Sequence, residues 1–168
     1  MSATALLVVS LISPLIFAGV IWLTRAGAKR TSAALAACLA AAVFSLGWDA
    51  LAVQMDWWSY RAHGDVLAML ALSISGAFVF GGAAGLLGWR MMRASGWTGA
   101  VTFLAGFVGV GLLRDHTLQA NTALFAFGPG PMPQVMAGVG YLSLAVTVQV
   151  TLLLIAGHPQ RDQMRNPG

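Results

Sequence analysis

The chain holds few carboxylic acids, and one of them stands inside an apolar run: from Trp48 to Tyr60 the sequence reads WDALAVQMDWWSY. Asp49 lies seven residues before Asp56, the next acid at the outer end of that segment, hence roughly 10 Å below a membrane surface at that level at 1.5 Å per helical residue. An acid at such depth costs about 2.5–3.5 kcal/mol on insertion scales, so Asp49 is expected to face the protein interior. Helical spacing puts Ser45, Asp49, Val53 and Asp56 on one stripe, with Tyr60 beyond them if the helix continues. The connections supply further polar groups, Arg61, His63 and Asp65 after the second apolar run and Arg114, Asp115 and His116 after the fourth.

Three kinds of chemistry suit such a set. It can be an interfacial girdle, with Trp57, Trp58 and Tyr60 at headgroup level and Asp49 paired with Arg61 or Arg114. It can be a protonation site, in which a desolvated Asp49 gives a proton to a lipid-like substrate. It can be a metal site built from His63, His116 and the nearby aspartates. These residues have no recognisable ligand spacing, so no metal is expected. The lone Cys38 lies in an apolar run, can form no internal disulfide and reads as packing.

The elements that must position these groups follow from composition. Hydrophobic residues are 58% of the 168 and charged ones 8%, against roughly 25% charged in soluble domains. That balance excludes a soluble globular protein and a disordered one. The net charge of +4 does not point to nucleic acid, because the basic residues sit at the ends of apolar runs. Five such runs, 4–24, 32–53, 66–89, 97–113 and 132–156, each approach the ~20 residues needed to cross the hydrocarbon. The expected fold is all-α: one transmembrane helix bundle over residues 1–157, then a polar tail over 158–168 that includes His158.

Charge sets the orientation. Arg25, Lys29 and Arg30 follow the first run, Arg90 and Arg93 separate the third from the fourth, and Arg161 and Arg165 lie in the tail. The two remaining connections hold only Arg61 and Arg114. This bias places the N-terminus outside and the C-terminus in the cytoplasm, in a multi-pass protein of the cytoplasmic (inner) membrane. No basic segment precedes the first run, so it reads as a retained helix and not a cleaved signal. Gly81 and Gly85 share a face of the third run, the spacing that lets membrane helices approach closely.

The residues Trp48, Asp49, Ala52, Val53, Trp58 and Tyr60 resemble the integral-membrane lycopene cyclase domain, over about forty residues of this chain. That family carries a Trp-Asp pair at the end of a membrane helix and a Trp-x-Tyr about ten residues on. Its next motif, Pro-x-Glu-Glu/Asp, has no counterpart here, because the third run begins Val66-Leu67-Ala68-Met69 and the chain contains no glutamate. Asp65 is the nearby acid that could substitute. An internal echo accompanies the resemblance: Asp49 precedes Trp58 and Tyr60 by nine and eleven residues, and Asp115 precedes Phe125 and Phe127 by ten and twelve.

The resemblance implies a carotenoid or other isoprenoid ligand and an acid-initiated cyclisation, an isomerisation that needs no organic cofactor. Asp49 would then be the acid with Asp65 or Asp115 as its partner, and Trp48, Trp58 and Tyr60 the aromatic wall. The competing expectation is non-catalytic: an accessory subunit or lipid-binding scaffold with a membrane-protein partner or a second copy, in which Asp49 is architecture. A transporter would need more ionisable residues along the spans than Asp49 and the amide of Gln149.

Overall fold

The computed structural model describes residues 3–60, 74–121 and 125–159. Among these, helix α1 spans Ala3–Thr24 and α2 spans Ala28–Gln54. A short strand β1, Trp58–Tyr60, follows. A π-helical segment, Ala77–Ala83, then leads directly into α3, Ala84–Asn121. Strand β2, Phe125–Phe127, precedes the last helix α4, Met132–Ala156.

Side-chain size, more than polarity, decides which helix faces turn inward. On α2 the inward positions are Ala33, Ala34, Ala37 and Ala41, all essentially inaccessible, whereas Leu39 and Val43 stand about three-quarters exposed on the opposite side. The π segment and the start of α3 lie in the groove between α2 and α4. There Gly81 meets Ala37, Cys38 and Ala41 of α2, while Gly85 meets Val148 and Leu152 of α4. A Cβ at Gly81 would come within 2.8–2.9 Å of Ala41 Cβ, the Ala37 carbonyl oxygen and Cys38 Cα, so only glycine allows this approach. Cys38 is buried in this contact, in keeping with a packing role.

The architecture is all-α, and three helical stretches are long and apolar enough to cross a membrane: Ala28–Gln54, Ile74–Asn121 and Met132–Ala156. A shorter apolar stretch is Leu11–Thr24. The sequence reading separates a third and a fourth run, but the structure joins them in one helical stretch bent at Gly96. That residue takes φ 56° and ψ −130°, a conformation that side chains disfavour. The two legs fold against one another: Phe80 packs edge-on to Phe107 at 5.4 Å, Gly88 lies under the ring of Phe103, and Gly99 abuts the carbonyl of Met91.

At the end of the bundle away from Gly96, β1 and β2 pair antiparallel, with Trp58 opposite Phe127, Ser59 opposite Ala126 and Tyr60 opposite Phe125. These are the two segments of the sequence echo, and the register relates them by a local two-fold through the Ser59–Ala126 pair. The helices that feed them match in the same way, since α2 and α3 each end four residues before their strand.

Candidate functional site

The stripe drawn from helical spacing does not reach Tyr60, because α2 ends at Gln54. The Trp57 N–H donates to the Ala52 carbonyl (2.9 Å), and the Asp56 N–H to that of Val53 (3.3 Å). Asp56 adopts φ 54° between them. This is the Schellman arrangement, with aspartate accepting the left-handed position that glycine usually fills. It turns the chain back over the end of the helix. Asp56 itself stays exposed and does not join the cluster. The Gly128 N–H donates to the Trp57 carbonyl (2.8 Å), and Gly128 packs against the Asp56 carbonyl where no side chain fits.

The reversal brings two donors onto Asp49. Trp58 Nε1–H donates to Asp49 Oδ1 at 3.3 Å, and the Tyr60 hydroxyl donates to the same oxygen at 3.1 Å. Asp49 Oδ2 has no hydrogen bond among the described residues, and the side chain is only half-buried. Burial, reinforced by the Asp49 carboxylate, pushes the Tyr60 phenol above its ordinary range, so it stays a donor.

A second cluster adjoins the first. Arg114 and Asp115, which the sequence places in the connection after the fourth run without fixing its conformation, lie on α3, which continues to Asn121. Along that turn the Thr117 hydroxyl donates to the Leu113 carbonyl (2.7 Å) and the Asn121 amide to the Thr117 carbonyl (2.9 Å), extending the helix. Tyr141 of α4 sits between the charges. Its hydroxyl donates to Asp115 Oδ1 at 2.9 Å and accepts from Arg114 Nη1 at 3.1 Å. Arg114 and Asp115 also approach at 3.7 Å, and both act electrostatically on Asp49 and Tyr60. The two acids of the echo, Asp49 and Asp115, thus belong to one electrostatic unit.

Aromatic rings wall this unit. Trp58 is buried against Phe125 (6.3 Å) and Phe127 (6.5 Å), so it packs inward and does not serve as an outward anchor. Tyr60 packs on Phe125 at 5.6 Å, and Trp48 bridges Phe44 (5.9 Å) and Trp57 (6.0 Å). The Trp48 indole rests on Gly140 of α4, its buried N–H without a hydrogen-bond partner among the described residues. His116 meets Phe127 ring to ring at 5.5 Å.

Of the residues singled out from sequence, the structure therefore gathers Trp48, Asp49, Trp58, Tyr60 and Asp115. Asp65, with Arg61 and His63, lies outside the described residues. Among the described residues no three potential ligands group to hold a metal ion. Tyr141 escaped the sequence reading, because a single phenol in a long apolar run reads as packing. The available signal was its place ten positions into α4, where a helical side chain leans back toward the N-terminal end and so toward the acids. Comparison of the chain with protein-family models, curated proteins and solved structures gives no match.

Proposed function

We propose that this is a five-crossing protein of the cytoplasmic membrane, N-terminus outside, that holds a lipophilic isoprenoid against Asp49 and protonates it. The two legs of α3, folded together at Gly96, supply the third and fourth crossings. The observation that carries the chemistry is the asymmetry of the Asp49 carboxyl group. Trp58 and Tyr60 both fix Oδ1, while Oδ2 is without a hydrogen bond among the described residues. A general acid needs one oxygen held in place and the other presented to substrate.

In its acid form Asp49 adds a proton to a terminal C=C bond of the isoprenoid. A neighbouring C=C bond attacks the resulting cation and closes the ring, and loss of a proton from an adjacent carbon to the Asp49 carboxylate restores the acid. The sum is an isomerisation, with no oxidant or reductant. The electron-rich faces of Trp48, Trp58 and Tyr60 stabilise the cation in transit. Arg114, Tyr141 and Asp115 set the field in which Asp49 works, and Asp65 remains a proposed partner acid.

One observation favours the non-catalytic reading. Asp115 is consumed by Tyr141 and Arg114, as a structural ion pair would be. A lipid-binding accessory subunit with a membrane-protein partner or a second copy would use the same geometry as architecture. Mass spectrometry of everything that co-purifies from the native membrane in mild detergent separates the two. A stoichiometric isoprenoid supports the enzyme reading, and a stoichiometric polypeptide with only bulk phospholipid overturns it.

A further inference from the structure

Arg114 stands at the seam between the two acid clusters. Leu112 and Leu118, on either side of it along α3, pack in the same apolar cluster as Trp48, Trp58 and Tyr60. Its guanidinium is fixed from three directions. Nη1 donates to the Tyr141 hydroxyl (3.1 Å) and lies 3.7 Å from Asp115 Oδ1, and the Phe80 ring faces the guanidinium carbon at 5.7 Å. Phe80 is itself held by Phe107 at 5.4 Å and Tyr141 at 5.9 Å. Both polar contacts use Nη1. Nε and Nη2 have no hydrogen bond among the described residues, and the side chain is 41% exposed. The same cation acts electrostatically on Asp49, whose Oδ2 is likewise without a hydrogen bond among the described residues.

A fixed cation with open donors beside an acid with an open oxygen restricts what the site can hold. A hydrocarbon covering Arg114 would strip water from its N–H groups and return no acceptor, a large cost for a charged donor. An anion is opposed by Asp115, which already balances the guanidinium. What remains is a ligand with a neutral acceptor oxygen.

We infer that the isoprenoid of this site carries an epoxide at its reactive end, the epoxide oxygen accepting from Nε or Nη2 of Arg114 and facing Asp49. The inference rests on the isoprenoid reading above and narrows its substrate class. An epoxide occupies the two carbons of the terminal C=C bond, so ring closure keeps the course already described. The Asp49 proton passes to the epoxide oxygen as the C–O bond to the more substituted carbon breaks. A neighbouring C=C bond attacks that carbon, and loss of a proton from an adjacent carbon to the Asp49 carboxylate restores the acid. The oxygen stays in the product as a hydroxyl group, and the sum is again an isomerisation. A strained three-membered ether opens under a carboxylic acid more readily than an isolated C=C bond accepts its proton, which suits the acid this site supplies.

The test is native mass spectrometry of the full chain in mild detergent, with equal amounts of squalene and 2,3-oxidosqualene added. The two probes share one carbon skeleton and differ by a single oxygen, and cyclisation leaves the mass unchanged. The wild-type chain should retain the epoxide about tenfold over the hydrocarbon, the weight of one hydrogen bond to a charged group. Arg114→Gln should bring the ratio to near one by weakening the epoxide alone. Asp49→Asn leaves the Arg114 donors in place and should keep most of the preference. Equal retention of the two probes by the wild-type chain overturns the inference and leaves the isoprenoid reading standing, whether or not either variant folds. Undiminished preference in a folded Arg114→Gln protein also overturns it. Retention of neither probe removes the isoprenoid reading and the inference together.

Discussion

The two ends of the bundle hold their charged groups against different kinds of neighbour. At one end Asp49 and Asp115 are answered from within, by the donors of Trp58, Tyr60 and Tyr141 and by Arg114. At the other end the guanidinium groups of Arg30 and Arg93 lie against a single indole face, that of Trp89, and Arg90 donates to the Leu23 carbonyl. Between the ends the core is alanine, glycine, branched aliphatics and phenylalanine, and within it the Gln149 amide N–H donates to the Gly85 carbonyl at 3.1 Å. A charged end that satisfies itself is organised for chemistry or internal cohesion. Substitutions that act on one end and spare the other test this division.

The largest effect is expected at Asp49. If the carboxyl group is a general acid, Asp49→Asn keeps the shape and the contacts of Oδ1 but removes the proton, and turnover of a bound isoprenoid falls at least ~100-fold. Full activity in a folded Asp49→Asn protein would sink the catalytic scheme. A loss of stability with no isoprenoid bound to the wild type would favour the scaffold.

Next in size is Gly81→Val, which acts on the layer that joins the ends. Its Cβ would press on backbone atoms of Ala37 and Cys38 that no rotamer can move. The expected cost is about 3 kcal/mol, read as a lower melting temperature in detergent, with both ends failing together. If the acid end melted separately from the basic end, the two would not belong to one cooperative unit.

How far sequence reveals such a design depends on the range of the interaction. The Trp48–Tyr60 segment was legible because its acid, turn and donors lie within a dozen residues and an acid in an apolar run demands partners. That Asp49 is reached through a chain reversal was not, because helical periodicity cannot locate a Schellman turn that uses Asp56 in place of glycine. The pairing of β1 with β2 was visible only as a faint echo, since spacing hints at equivalence but not at contact. The bend at Gly96 was legible as a connection between apolar runs, whereas the extension of α3 through Asn121 was hidden by the polar Arg114–His116. Tyr141 was invisible for a simpler reason: its partners are 26 and 27 residues away on another helix.

Tyr141→Phe tests that contact directly. It deletes one hydroxyl and leaves Arg114 and Asp115 without their bridge, at an expected cost of about 2 kcal/mol confined to the acid end. An unchanged melting temperature would mean that Arg114 and Asp115 satisfy one another without the phenol.

The smallest effect, and the sharpest contrast, comes from making one substitution at both ends. Trp58→Phe removes an N–H that donates to the Asp49 carboxyl, so it should lower stability by about 1–2 kcal/mol. Trp89→Phe removes an N–H that is buried without a partner among the described residues. That deletion relieves a desolvation cost, while the smaller ring weakens the cation–π contacts of Arg30 and Arg93 by a similar amount, each about 1 kcal/mol. The two terms nearly cancel, so the melting temperature should hold. If Trp89→Phe were as damaging as Trp58→Phe, the Trp89 indole N–H would have a partner of its own.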